Sequence, residues 1–426
     1  MKRYAYYSDY VYYESRLCRN SWLLVADGKV EGLSESEPEG YELRRFSNSA
    51  IFPALINTHT HLPMTMFRGI ADDLSLNDWL TNHIWPTERK WLSNELVKDA
   101  VLLAAADMIT SGVSCANDMY FYAGVAIRTL SEIGLRGTIG CGVVMDINAT
   151  KSAKADEFKK SADSLVEMTK DNPLINISIC PHAPYTATPD TYRAVVDYVR
   201  EKDILLHTHL AETARENDDI TARYGKRPIA IMDEVGAFDC KSIFAHCVHL
   251  NDDEIALMGA KKVNMSHCAK SNLKLGSGIA PIQKLIKAGA NVTIGTDSAA
   301  STNDQDMLSE INIASLLQKG ITQDATALNA HETLDCATKN AAKALYMDNV
   351  GELAKGKEAD FFVLSFEALS MQPVFDPIAH LVYCAKKNDI TDMYVAGKPL
   401  MINRTLTTID VEAVRYKSKI WRDKLI

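Results

Sequence analysis

Between Ile51 and about Asp348 the sequence alternates apolar, β-prone runs with amphipathic segments of helical spacing, and this alternation limits the fold more than any other feature. Eight runs read as strands: Ala54 to His61, Val113 to Asp118, Arg136 to Val144, Ile175 to Pro181, Ile204 to Ala211, Ser242 to His249, Lys262 to His267, and Asn291 to Asp297. The gaps carry helix punctuation. Ser93 can cap a helix bearing Val97, Val101, Ala104 and Met108 that stops at Gly112, Asn251 with Glu254 resembles a capping box, and Gly289 ends a segment bearing Ile282, Leu285 and Ile286. Eight strands alternating with helices over about 300 residues predict a (β/α)8 barrel. A doubly wound open sheet would need a Gly-rich phosphate loop after the first strand, and the sequence has none there.

Outside this stretch the text is different. Ala5 to Tyr13 and Trp22 to Val25 read as short strands, with Asp27-Gly28 as a turn; the alternating tyrosines from Tyr4 to Tyr13 fit the packed face of a strand. After Asp348, Ala359 to Phe366, Met393 to Val395 and Pro399 to Ile402 read as strands, Gly397-Lys398 as a hairpin turn, and Val411 to Leu425 as a closing helix. Strands with open edges need partners, so residues 1–50 and 351–426 are expected to combine into a small β-sandwich-like domain beside a catalytic barrel of residues 51–350.

The formal charge of −9 argues against nucleic acid or an acidic membrane as the main partner, since both rely on clustered Lys and Arg. A small-molecule substrate suits it better. The N-terminus lacks the apolar core of a signal peptide, no run is long enough to span a bilayer, and the nine cysteines contain no Cys-x-x-Cys pair. A cytoplasmic protein with reduced thiols is expected.

Barrel enzymes place their chemistry at the C-terminal ends of strands. Those ends carry His59 and His61, His182, His209, His246 and Asp297. Two histidines spaced i, i+2 on a strand share a face, and three imidazoles with a carboxylate suit a divalent transition metal. His207 and His209 are both candidates on the fifth strand. Glu212, three residues beyond His209 and placed to act as a general acid, favours His209 as the ligand and leaves His207 in support. A bridging Lys or Glu at the end of the fourth strand would suggest two metals; Ile175 to Pro181 has neither, so one is expected. His249 and His267 sit near the rim as supporting groups, and Cys247 and Cys268 read as packed thiols.

Asn57-Thr-His59-Thr-His61, Met66-Phe-Arg68-Gly69, Asp78-Trp79-Leu80, Trp85-Pro86-Thr87-Glu88, His209-Leu-Ala-Glu212, Ala245-His246-Cys-Val-His249, Ser271-Asn272-Leu-Lys-Leu and Gly295-Thr-Asp297 together resemble the amidohydrolase superfamily, and within it the 5′-methylthioadenosine/S-adenosylhomocysteine deaminases. The resemblance implies one Zn2+ per subunit, with Fe2+ as the alternative, held by His59, His61, His209 and Asp297. It implies that Glu212 protonates purine N1, that His246 and Asp297 handle the protons of the attacking water, that Trp79 flanks the substrate, that Glu88 holds the ribose hydroxyls and that His182 contacts the nucleoside. It also implies a homo-oligomer. Attack at C6 of adenine needs a nucleophile stronger than neutral water, and a bound metal can lower the pKa of water from 15.7 to about 7. The expected reaction is hydrolytic deamination of an adenine nucleoside such as methylthioadenosine, adenosine, 5′-deoxyadenosine or aminodeoxyfutalosine. The alternatives are a guanine deaminase or triazine chlorohydrolase activity, or a barrel without catalysis. Members that accept S-adenosylhomocysteine are expected to grip its carboxylate with arginines after the third strand, including one that a neighbouring subunit can supply. This sequence has no Arg between Arg136 and Arg193, Cys141 stands where one is expected, and Lys151 and Lys154 are the nearby cations.

Overall fold

The computed structural model describes residues 2–143 and 157–425. Four strands open the chain: β1 (Arg3–Tyr13), β2 (Arg16–Ala26), β3 (Lys29–Ser34) and β4 (Glu42–Pro53). Eight follow: β5 (Leu55–Thr60), β6 (Val113–Asp118), β7 (Arg136–Val143), β8 (Ile175–Pro181), β9 (Leu205–Leu210), β10 (Ser242–His246), β11 (Asn264–His267) and β12 (Asn291–Ile294). The last four are β13 (Phe361–Ser365), β14 (Ile390–Val395), β15 (Lys398–Ile402) and β16 (Thr405–Leu406).

Strands β5 to β12 lie side by side in sequence order as one parallel sheet. The ring closes where Thr60 bridges Asp297 and the Asp297 N–H donates to the His59 carbonyl at 2.9 Å. The (β/α)8 expectation holds. Helix caps also fall where the sequence puts them: Ser93 accepts from the Leu96 N–H, Asn251 and Glu254 form a reciprocal capping box, and Gly289 takes the left-handed conformation that ends Ile282–Ala288.

The remaining strands form a second sheet in the order β16-β15-β14-β13-β4-β1-β2-β3, so both chain ends share one sheet. Its core is aromatic: Tyr6 packs edge-on against Phe361 and Tyr394, with ring centres 4.9 and 5.0 Å away. The apolar run starting at Ile51 divides at Ala54; Ile51, Phe52 and Pro53 end β4 in this sheet, whereas Leu55 begins the barrel.

Several barrel ladders stop earlier than the apolar runs do. β9 ends at Leu210, β10 at His246 and β12 at Ile294, and Ala211, His246, Cys247 and Asp297 adopt left-handed backbone with φ of 51°, 74°, 47° and 59°. In non-glycine residues this conformation carries strain that tends to collect at functional sites. The reading of β7 through Val144 ends outside the described residues, as do Lys151 and Lys154.

Arg136, the first residue of β7, ties the barrel to the second sheet. Its guanidinium donates to Asp360 Oδ2 at 2.7 Å and Oδ1 at 3.1 Å, and to Glu358 Oε2 at 2.8 Å, just ahead of β13. Arg136 and Asp360 are both buried. Replacing Arg136 by Ala leaves the acids without their cation and is expected to cost about 3–5 kcal/mol of stability, read by urea denaturation; a loss below 1 kcal/mol would refute the tie. No helix among the described residues is long and apolar enough to cross a membrane.

Candidate metal and active site

Alternation on β5 directs His59 and His61 into the same end of the barrel, and β9 does the same for His207 and His209. The eighth strand must come very close to the first: a Cβ on Gly295 would lie 2.6 Å from the His59 nitrogen and 2.6 Å from Ser266 Oγ, so only glycine fits before Thr296-Asp297. Asn57 secures this join. Its amide donates to Thr296 Oγ1 at 2.7 Å and accepts from the Thr296 N–H at 3.0 Å.

The tautomers are set by carbonyl acceptors, which cannot donate. The His61 Nδ1–H donates to the Met119 carbonyl, and the His209 Nδ1–H donates to the His182 carbonyl at 2.7 Å. Their Nε2 atoms then face each other 3.2 Å apart. His59 Nδ1 meets His207 Nε2 at 2.8 Å, while His59 Nε2 is buried with no hydrogen-bond partner. Asp297 Oδ1 lies 3.5 Å from His59 Nε2 and 3.3 Å from His61 Nε2. Its other oxygen is held by the hydroxyls of Ser271 at 2.5 Å and Ser301 at 3.0 Å.

This donor set fits a divalent cation. His59, His61 and Asp297 converge as one triad and His59, His209 and His246 as another, with His59 common to both, and the buried His59 Nε2 has no hydrogen-bond partner. Burial drives His59 down to about 3 and holds His209 well below the usual imidazole range, which favours the neutral, ligating form. Burial opposes ionisation of Asp297, but His59 and His61 outweigh it and hold its carboxyl well below the usual range.

Around these groups stand the proton-handling candidates. Glu212 follows β9; burial raises its pKa, its Oε1 accepts from Ser277 Oγ at 3.2 Å, and its Oε2 lies 3.8 Å from His246 Nε2. His246 Nδ1 bonds Asn272 Oδ1 at 2.8 Å; an amide oxygen only accepts, so Nδ1 carries the proton and Nε2 is available to the site. His182 Nδ1 bonds Thr186 Oγ1 at 3.0 Å.

A cavity of about 600 Å³ opens over this floor. His61, His182, His209, Glu212, His246 and Asp297 line it, as do Trp79 and Glu88 on the wall formed by residues 76–92; His59 lies behind. Burial raises the Glu88 pKa, and Tyr120 donates its hydroxyl to Glu88 Oε1. The structure thus brings His59, His61, Trp79, Glu88, His182, His209, Glu212, His246 and Asp297 to one place. His249 reaches it indirectly, bonding the Ser277 carbonyl through Nε2 at 2.6 Å, whereas the His267 ring nitrogens have no hydrogen-bond partner. Burial holds the Cys247 and Cys268 thiols well above their ordinary pKa, and both are free thiols.

Four contributors carry no role in the sequence reading. Tyr120 lies two residues beyond β6, a barrel strand end that the sequence does mark. Ser271 and Asn272 orient Asp297 and His246 from one short helix, Ala269–Lys274. Glu216 accepts the backbone N–H groups of Ala211 and Glu212, each at 2.9 Å, and so fixes the turn that presents Glu212. Thr213, which caps the next helix, places Glu216 at its third position and is the signal for that last contact.

The amidohydrolase family model matches residues 50–400. The chain belongs to the amidohydrolase family. This amidohydrolase is 36% identical over 420 residues to the 5-methylthioadenosine/S-adenosylhomocysteine deaminase of Thermodesulfovibrio yellowstonii, covering 97% of this chain and 95% of the relative. Its fold matches an adenosine deaminase from Xanthomonas campestris with bound zinc at a TM-score of 0.93 and 36% identity, over 99% of this chain and 98% of that one. An atrazine chlorohydrolase from Arthrobacter aurescens complexed with zinc matches at a TM-score of 0.91 but 19% identity, over 99% and 100% of the two chains, and so shares the fold. The family is metal-dependent, in keeping with the convergent donors described above.

Proposed function

We propose that this amidohydrolase is a hydrolytic deaminase that replaces the C6 amino group of an adenine nucleoside with oxygen and releases ammonia, with methylthioadenosine, adenosine and 5′-deoxyadenosine as the candidate substrates. One observation carries the reading: a single cavity joins Glu212, His246 and Asp297 on its floor to Glu88 on its wall. The relatives named as adenine-nucleoside deaminases support it.

His59, His61, His209 and Asp297 would hold one metal ion, for which zinc is the proposed identity. When bound, the metal supplies Lewis acidity that makes water a competent nucleophile at neutral pH. The residues then divide the proton work. Glu212, whose acid form burial favours, donates to N1 as C6 becomes tetrahedral. His246 uses Nε2, and Asp297 uses Oδ1, to take protons from the attacking water. Of the two water protons, one leaves with ammonia and the other restores Glu212. Trp79 packs beside the base, His182 contacts the nucleoside, and Glu88, steadied by Tyr120, accepts from the ribose hydroxyls.

A panel of adenine nucleosides differing at the 5′ position, followed by loss of adenine absorbance, tests the reading; no turnover of any of them would refute it. Glu88→Ala separates this from a hydrolase acting on a ring without ribose. Losing hydrogen bonds to a charged group is expected to raise KM for methylthioadenosine by roughly 10–100-fold, whereas an unchanged KM would remove Glu88 from the ribose site.

A further inference from the structure

Helix Ala269–Lys274 supplies Ser271 to Asp297 and Asn272 to His246, yet it begins without a side-chain cap of its own. Cys268 stands where a Ser, Asp or Asn would accept the N–H of the second or third helical residue, and its thiol turns instead to the Ser266 carbonyl. The missing acceptor arrives from another helix. Glu310, in Met307–Thr322, accepts the backbone N–H of Lys270, the second residue of the short helix, on Oε1 at 3.0 Å. Its side chain is fully buried, and its Oε2 has no hydrogen-bond partner among the described residues. Burial pushes the Glu310 pKa up to about 8, and the backbone N–H groups of Lys270 and Ala269 oppose that rise. The Lys270 ammonium is engaged elsewhere, bonding Asp304 Oδ2 at 2.5 Å and Ser309 Oγ at 2.9 Å.

Burying a carboxyl is unfavourable unless it makes hydrogen bonds, and the bond that Glu310 makes goes to the start of this helix. The other end of the helix is held near the surface, where Lys274 bonds Asp72 at 2.5 Å and Asn303 at 3.0 Å, a weaker kind of tether. Ser271 and Asn272 follow Lys270 directly, so any shift of the first turn moves both side chains. His246 depends on Asn272 Oδ1 to keep its proton on Nδ1. Without that acceptor the proton can pass to Nε2, which then cannot take one from the attacking water. Asp297 Oδ2 depends in the same way on the Ser271 hydroxyl at 2.5 Å. We propose that Glu310 is a positioning residue for the deamination: it fixes the start of helix Ala269–Lys274 and so holds Asn272 on His246 and Ser271 on Asp297. This rests on the deaminase reading and adds to it a residue that does not line the cavity.

The test compares Glu310→Gln, Glu310→Asp and Glu310→Met in the zinc-loaded full chain with the best nucleoside substrate. Gln keeps an acceptor of the same reach, Asp keeps the charge but falls one methylene short of the Lys270 N–H, and Met keeps the bulk without an acceptor. Glu310→Gln is expected to stay within about threefold of the wild type. Glu310→Asp and Glu310→Met should each lose roughly 10–100-fold in kcat with KM nearly unchanged, as when a partner that orients a site residue is removed. Added to Asn272→Ala, Glu310→Met should cost much less than it does alone, because the contact it supports is already gone. Nitrogen NMR of the His246 ring should show the Nδ1-protonated tautomer in the wild type and Glu310→Gln, and its loss in Glu310→Asp and Glu310→Met. Wild-type kcat in Glu310→Asp and Glu310→Met overturns the proposal, as does a loss in Glu310→Gln equal to theirs, a fully multiplicative loss in the double variant, or an unchanged His246 tautomer. Should Glu310→Met not fold, Glu310→Asp decides. Failure of the wild type on every nucleoside would instead defeat the deaminase reading, and the His246 spectra would still decide the role of Glu310.

Discussion

Glu212→Gln is expected to lower kcat for the best adenine nucleoside by roughly 10²–10⁴-fold, the usual contribution of a positioned general acid. Gln is nearly isosteric and can still accept from Ser277, so the turn held by Glu216 should survive and KM should move little. That separation is the point of the experiment: steady-state kinetics must show the loss in kcat, with thermal unfolding unchanged within a few degrees. Near-normal turnover would remove Glu212 from proton transfer.

Loss of the metal should have the larger effect. The nucleophile depends on lowering the pKa of water by more than eight units, so chelation is expected to reduce deamination by at least about 10⁴-fold, and zinc should restore it. His61→Ala deletes one inward nitrogen and leaves Asp297 facing the remaining imidazoles, so elemental analysis should find well under one metal per chain, and added zinc should not restore activity. Chelation should also lower the thermal midpoint, because a ligand that binds only the folded state stabilises it by mass action. Full activity in chelated protein with no detectable metal would refute the metal assignment.

The barrel was legible because its strands are continuous apolar runs with capped helices between them, and buried parallel strands need no alternation. β3 and β4 were not. Their sequences Lys29–Ser34 and Glu42–Pro53 mix charge, glycine and serine, and they become strands through their neighbours in the second sheet. The helix Pro377–Tyr383 escaped notice for want of length. At the site, His59, His61, His209 and Asp297 could be found because each stands at or near a strand end, where barrel chemistry gathers. Ser271, Asn272, Tyr120 and Glu216 act by orienting another side chain, and no spacing in one dimension encodes which carboxylate or imidazole a hydroxyl or amide will meet.

The position of β4 also sets a timetable. It pairs with β1 on one side and β13 on the other, with Pro53 opposite Phe361 and Ser49 opposite Ser365, and only Ala54 separates it from β5, which carries His59 and ends one residue before His61. At synthesis rates of about 5–20 residues per second, the wait between β4 and β13 is roughly 15–60 s, during which an edge rich in hydrogen-bonding groups has no native neighbour. The nascent chain must shelter that edge while the barrel is still being made, and the frame from which its first histidine strand hangs is completed only near the end of translation.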